Sequence, residues 1–328
     1  MPSPLTLFEH FSVLRDPRRP NCLHRFDEML IIAVCAIICG ADSWVGVEEF
    51  GKSKEAWLRT FLTLEQGIPS HDTFNRLFRR IDPEEFARCF ARWSAGLSEA
   101  TEGKVVPVDG KCLRKSFDKA SNKAAIHMVS AWAAENEVVL ASLAVDEKSN
   151  EITAVPRLLR LLDLHGCIVT IDAMGCQRAI AEQIIEQGGD YILALKGNQG
   201  TLHREVEQLF ADALATDFGG EEYDRYEQSN KGHGREERRV IWSTSWLAWL
   251  PQKDDWTGLQ TVIMVDSWRK TSKKESFEKR YYISSVQSNA ESCGAAIREH
   301  WGIENGQHYI LDVTFREDDC RVRKGYGA

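Results

Sequence analysis

The sequence lacks three things at once: a Cys-x-x-Cys pair, an apolar run long enough to span a bilayer, and an excess of basic charge. Its nine cysteines are odd in number and scattered, which indicates neither a disulfide framework nor a zinc module. A reducing, cytoplasmic setting is expected. The longest strongly apolar stretch, residues 29–41, falls short of the roughly 20 residues that cross a membrane and lies too far in to be a signal peptide. It reads as a buried helix. Internal repeats and low-complexity segments are missing too. What is present, 43% hydrophobic and 27% charged residues in a chain of 328, is enough for a sizeable core in one or two domains and excludes a disordered chain.

Lysine and arginine number 41 against 49 acidic residues, a net charge of −8, which on average disfavours a polyanionic partner. Averages hide local patches, however. Basic residues cluster at 76–80, 111–123, 235–239 and 269–280, so a charged groove remains open.

Residues 1–98 read as helical. Residues 26–39 are apolar almost throughout, and 44–64 and 73–81 show apolar spacings of three and four. Ser70 is a candidate N-cap for the last of these, and Asp72 suits its first turn. Phe74, Leu77, Phe78 and Ile81 form one stripe with Arg76, Arg79 and Arg80 off it, which fits a packing helix with a solvated basic face or one that contacts DNA. Cys35 and Cys39, one turn apart in apolar surroundings, read as buried small hydrophobes.

The pattern changes at Lys104. Strands are predicted at 104–108, 125–134, 137–145, 167–171 and 191–195, with helices at 152–162 and 177–186. Three meandering strands followed by two helix-linked strands place the first and fourth side by side, which is a ribonuclease H-like mixed sheet. A mostly β insertion over 200–282 follows, holding a helix at 202–214 and strands at 239–243, 260–267 and 280–285. The last helix starts near Ser288 or Asn289. The fold class is therefore α/β: an N-terminal all-helical domain, 1–98, then a ribonuclease H-like domain, 104–328, interrupted by the insertion.

Asp109 ends the first predicted strand and Asp172 the fourth. Either alone is an ordinary turn former or cap. Together on adjacent strand ends they would repel unless a hard cation, Mg2+ or Mn2+, lay between them. A two-ion site for in-line phosphoryl displacement needs a third carboxylate. Ile297, Trp301, Glu304 and His308 share a helix face at 3.6 residues per turn, making Glu304 a candidate with Trp301 in the core; Asp312 is its rival, and Glu299 points away. Lys196, Asn198 and Gln199 follow the fifth strand at the same edge and could hold a phosphate or a flipped base, or simply form a polar turn. His233 and Arg235, between glycines, suit close approach to DNA or a surface loop.

These residues carry a resemblance. The strings at 67–73 (GIPSHDT), 108–111 (VDGK) with Leu113 and Arg114, 146–154 (DEKSNEITA), 172–177 (DAMGCQ), 195–199 (LKGNQ), 232–236 (GHGRE) and 297–323, containing HWGIEN, make the chain similar over essentially its whole length to bacterial insertion-sequence transposases of the ISAs1 type, which include the H-repeat-associated proteins and belong to the DDE transposases. The resemblance implies an acidic triad of Asp109, Asp172 and Glu304, two Mg2+ or Mn2+ ions, hydrolysis at a transposon end and attack of the freed 3′-hydroxyl on target DNA. Its implied partners are terminal inverted repeats and target DNA, with a homodimer joining two ends. Lys111, Arg114, Lys196, Asn198, Gln199, His233, Arg235, Arg298 and His300 are the expected DNA contacts. The Tyr, Arg and Lys that surround the final Glu in related DDE families are here Ile297, His300 and Leu311, so Arg298 or His300 is expected to serve as a phosphate contact instead. Family members continue past the Arg-x-Arg-Lys-Gly string, so the resemblance implies that the ending at 325–328 marks a truncated or frameshifted product, weakly active or inactive. The competing functions are a DNA-binding remnant without catalysis and a nuclease without strand transfer.

Overall fold

The computed structural model describes residues 7–97, 105–114, 116–117, 125–145, 151–218, 222–232 and 234–319. The amino-terminal third is helical: α1 (Leu7–Phe11), α2 (Phe26–Ile38), α3 (Trp44–Ser53), α4 (Glu55–Leu58), α5 (His71–Phe78) and α6 (Pro83–Leu97). Met29, Ile32, Leu58, Phe74 and Leu77 are fully buried among them. The one charge that α2 buries, Glu28, is satisfied because its Oε1 accepts from the backbone N–H of Thr63 at 2.8 Å and of Leu64 at 2.9 Å. Ser70 occupies the N-cap of α5, but its hydroxyl lies 3.0 Å from Thr73 Oγ1 rather than on a backbone N–H. Cys35 is half-buried and Cys39 exposed, against the expectation of two buried thiols, because α2 turns that end toward solvent.

The remainder builds one nine-stranded sheet. Its elements in chain order are β1 (Val105–Leu113), β2 (Ile126–Ala133), β3 (Val138–Ala144), α7 (Glu151–Leu159), β4 (Ile168–Ile171), α8 (Arg178–Glu186), β5 (Asp190–Leu195), α9 (Gly200–Ala215), β6 (Asp224–Gly232), β7 (Arg235–Thr244), β8 (Thr261–Thr271), β9 (Glu275–Ser284), α10 (Ala290–His300), a π-helical turn (Glu304–His308) and α11 (Tyr309–Val313). The strand order is β3-β2-β1-β4-β5-β9-β8-β7-β6. β1 is antiparallel to β2 and parallel to β4, and β4 is parallel to β5. The first and fourth strands are neighbours, as their order along the chain suggested.

Side-chain alternation along the central strands feeds two cores. Val106, Val108, Val169, Ile171 and Leu193 pack with α7, α8 and α9 on one face, whereas Val105 and Ile192 pack with Ala290, Cys293, Ala296 and Ile297 of α10 on the other. α6 joins the helical unit to the sheet, giving Ala87 and Ala91 to the sheet's core and Cys89 to the helical one.

Three expectations need correction. β1 does not end at Asp109 but runs on to Leu113, because β2 continues to pair with it after β4 has stopped. The charged stretch before residue 235, where no strand was expected, contains β6, and β9 pairs with β5 from Ile192↔Ser284 to Leu195↔Tyr281 and carries β8, β7 and β6 outward. Trp301 is not core. α10 stops at His300, and the indole, 37% exposed, receives the Arg280 guanidinium 4.6 Å from its ring centroid.

Candidate active site

Parallel pairing of β1 with β4 stops at Val108↔Ile171. The next residues are Asp109 and Asp172, so two carboxylates emerge at the point where the central strands part. Asp172 caps a short 3-10 turn (Ala173–Gly175) and its Oδ1 accepts from the Met174 N–H at 3.0 Å. That turn is fastened from β5's side: Asn198 Nδ2 donates to the Ala173 carbonyl, and Gln199 Nε2 donates to the Cys176 carbonyl at 2.9 Å. Gly175 is required where the turn doubles back, since a Cβ there would lie 2.3 Å from Ile171 Cγ2.

The third carboxylate arrives from the opposite end of the chain. α10 is capped by Asn289, whose Oδ1 accepts from Ser292 N at 2.8 Å. It crosses the sheet face and ends with His300, whose Nδ1 lies 3.0 Å from Thr170 Oγ1 on β4. The π-helical turn that follows contains Glu304 and His308. A π-turn inserts a residue into the helical repeat, a feature often found at functional sites. Glu304 is solvent-exposed, yet its charge acts on Asp109.

Asp109 is where the charges meet. Its side chain is 19% exposed, and its carboxyl is pushed up to about 7, by burial first and then by the charges of Asp172, Glu304 and Glu151, against the opposing Gly110 N–H. Among the described residues no cation counters these charges. His308 Nδ1 stands 3.8 Å from Asp109 Oδ2, but burial and the Lys111 charge push that imidazole down, toward the neutral form.

Glu151 was missed at the level of sequence. It opens α7, and its carboxylate rests on Gly110, where a Cβ would lie 2.2 Å from Oε1. A Glu in the first turn after the third strand, within the family string, together with a glycine directly after Asp109, is the signal that could have found it.

The remaining candidates scatter. Lys111 is buried and ion-paired to Asp312 at 2.7 Å and Glu317 at 2.8 Å, and Arg114 lies 3.4 Å from Asp318. The rival Asp312 is thus occupied by Lys111, near the end of α11. Lys196 is exposed beside the Asp172 turn. Arg235 pairs with Glu237 at 2.9 Å, far out on β7, and Arg298 donates to Gln228 at 3.4 Å. His233 and the chain end at 325–328 lie outside the described residues.

The donor type, carboxylates on separate elements whose charges act on Asp109, is the one a hard divalent cation takes. Among the described residues no three such side chains stand close enough to share one ion.

Comparison with known proteins gives the class. Residues 100–328 match the family described as transposase DDE domain and residues 8–94 the one described as DDE_Tnp_1-associated; the chain belongs to the DDE transposases. Among named relatives, it is 40% identical over 332 residues to the H repeat-associated putative transposase YhhI of Escherichia coli K12, covering 98% of this chain and 86% of that protein. It is 41% identical over 328 residues to the putative transposase YncI of Escherichia coli O157:H7, covering 98% and 83%. An uncharacterized protein in the dhlA 3′ region of Xanthobacter autotrophicus is 46% identical over 295 residues, 87% of this chain and 95% of that one. No helix among the described residues is long and apolar enough to cross a membrane.

Proposed function

We propose that the protein is an ISAs1-type insertion-sequence transposase whose residues 104–328 form a ribonuclease H-like catalytic domain, with residues 1–98 as a helical domain associated with it. It cleaves a DNA strand at the element's end and transfers the freed 3′-hydroxyl to target DNA. Asp109, Asp172 and Glu304 hold two Mg2+ or Mn2+ ions. When bound, such ions polarise the scissile phosphate and offset charge on the attacking and leaving oxygens. The chain's own contribution is placement. The end of β1–β4 pairing sets Asp109 beside Asp172, Asn198 and Gln199 hold the Asp172 turn, and exposed Lys196 faces the solvent where a phosphate would approach. Arg298 and Arg235 line the route outward along the sheet as phosphate contacts, and two copies on two element ends form the synaptic complex.

The observation that carries this reading is the departure of Asp109 and Asp172 from adjacent parallel strands at one level, with the Glu304 charge acting across them. Nothing in the site favours a binding-only remnant, since all three carboxylates are present. The test is cleavage and joining of duplexes bearing the element's terminal repeats, with Mg2+ or Mn2+. Asp109→Asn and Asp172→Asn are expected to lower both steps at least 100-fold while circular dichroism stays unchanged. Undiminished cleavage in either variant refutes the assignment.

A further inference from the structure

We infer that a DNA backbone lies on the α10 face of the outer sheet, gripped by Arg235, Arg239 and Arg269, and that buried Glu237 is the positioning residue that holds these three guanidiniums as one phosphate-binding fork. The inference rests on the reading of the chain as a transposase acting on DNA.

Strand alternation sorts the basic residues of β6–β9 by type. Ile241, Val265 and Tyr282 pack with α10, so the residues in step with them, Arg235, Glu237 and Arg239 on β7 and Arg269 on β8, share that face. Among the described residues of these four strands, no lysine does. Lys231, Lys270 and Lys279 are all out of step and lie on the other side. Register then gathers the arginines. Glu237 stands opposite Arg269 and between Arg235 and Arg239 on its own strand, and its carboxylate pairs with Arg235 at 2.9 Å, Arg239 at 3.1 Å and Arg269 at 3.5 Å.

The cluster carries more positive charge than a structural ion pair needs. Three guanidiniums share one carboxylate, and Arg239 is pushed down by burial first and then by the charges of Arg298 and Arg235, against the attraction of Glu237. Its Nη1 is buried without a partner. Glu237 is only 8% exposed, whereas Arg235 and Arg269 are about half-exposed, so the cations face solvent and the anion is covered. Guanidiniums in fixed orientation suit phosphate oxygens better than ammonium groups do. The face also leads to the candidate active site. On β9, Arg280 holds its guanidinium over Trp301, where α10 gives way to the π-helical turn that contains Glu304. A DNA strand reaching Glu304 from the outer sheet therefore passes over the fork.

The test is binding of a fluorescein-labelled, mixed-sequence DNA duplex by the full chain in EDTA, read by anisotropy over a series of salt concentrations, with a thermal melt of each variant. EDTA keeps metal binding and cleavage out of the readout. Arg269→Gln and Lys270→Gln remove the same charge from adjacent exposed positions on opposite faces. Arg269→Gln is expected to weaken binding roughly 5-fold or more and to lower the slope of log K against log salt by about 1, while Lys270→Gln changes affinity less than about 2-fold and leaves the slope alone. Glu237→Gln is the sharper case. Simple attraction makes the loss of a negative charge tighten binding to a polyanion, but loss of the group that gathers three guanidiniums is expected to weaken it roughly 3-fold or more and to lower the slope. Equal or tighter binding by a folded Glu237→Gln protein overturns the inference, as does equal weakening by Arg269→Gln and Lys270→Gln; the transposase reading survives either result. If Glu237→Gln does not fold, the comparison of Arg269→Gln with Lys270→Gln decides. A wild-type chain that binds no DNA overturns both the inference and the reading beneath it.

Discussion

Asp109→Asn exchanges a charged group for a neutral one of nearly the same shape, so it isolates what the buried charge does to the fold. In the native protein this carboxyl is pushed up to about 7 from its ordinary 3.8. A carboxyl raised in the fold holds its proton more tightly there than in the unfolded chain. Its contribution is therefore nil below the unfolded value and grows unfavourable as pH rises from about 4 to about 7. At about 1.4 kcal/mol per unit, ionised Asp109 costs about 4 kcal/mol at pH 8, of which about 2 to 3 kcal/mol accrues between pH 5 and pH 8. A chain of 328 residues unfolds with an entropy of about 0.7 kcal/mol/K, so that interval lowers Tm by about 4 °C. The assay is a pair of thermal melts in EDTA at pH 5 and pH 8, for both proteins. Other titrating groups are common to the two, so the double difference reports Asp109. The variant should gain about 4 °C on the wild type across the interval, and added Mn2+ should erase most of that gain by stabilising the wild type at pH 8. Parallel pH dependence of the two proteins in EDTA refutes the picture of a carboxylate raised by burial and uncompensated charge.

Three further outcomes follow from the same geometry. Glu304→Gln removes an exposed charge, so urea denaturation should move by less than about 0.5 kcal/mol, while metal-dependent cleavage of terminal-repeat DNA should fall at least 100-fold. Lys111→Met strands the carboxylates of Asp312 and Glu317, which are partly solvated; a loss of about 1 to 3 kcal/mol in urea is expected, with faster amide exchange confined to residues 309–319. Asn198→Ala frees the Ala173 carbonyl from its amide partner, costing about 1 kcal/mol in the same titration, and single-turnover cleavage should slow several-fold as the Asp172 turn loosens.

Much of the central sheet was legible because its strands are apolar runs. Residues 168–171 and 191–195 are mostly apolar on both faces, since each face is covered by helices. Those same runs gave the neighbouring positions of Asp109 and Asp172, and the π-helical turn still leaves Glu304 where its charge reaches Asp109. β6 was illegible for the opposite reason. Asp224–Gly232 carries one apolar side chain, Tyr226, and is otherwise held by backbone pairing to β7 and polar contacts with α10, and periodicity reports only strands that bury a whole face. Trp301 was misplaced by extending a 3.6-residue repeat through the end of α10, where the helix changes to a wider turn. Glu151 escaped because an acid in the first turn of a helix is what any helix start favours, whereas here the gap between β1 and β4 is also reached from such a start. Lys111 drew notice as part of a basic cluster, but its acidic partners lie some two hundred residues on, and no local pattern announces them.

The exposed polarity of β6 has a consequence for solubility. Among the described residues it is the outermost strand of the sheet, and one side of its backbone has no neighbouring strand. A free row of N–H and C=O groups is a template on which further chains could polymerise. Each edge has a helix against it, α6 on β3 and α10 on β6, and β6 adds its own composition to that cover. Asp224, Arg225, Glu227 and Lys231 place charges of both signs along it, so a second strand stacking there would have to match that pattern or desolvate unpaired ions. The polarity that hides β6 from a hydrophobicity search is what keeps the sheet finite.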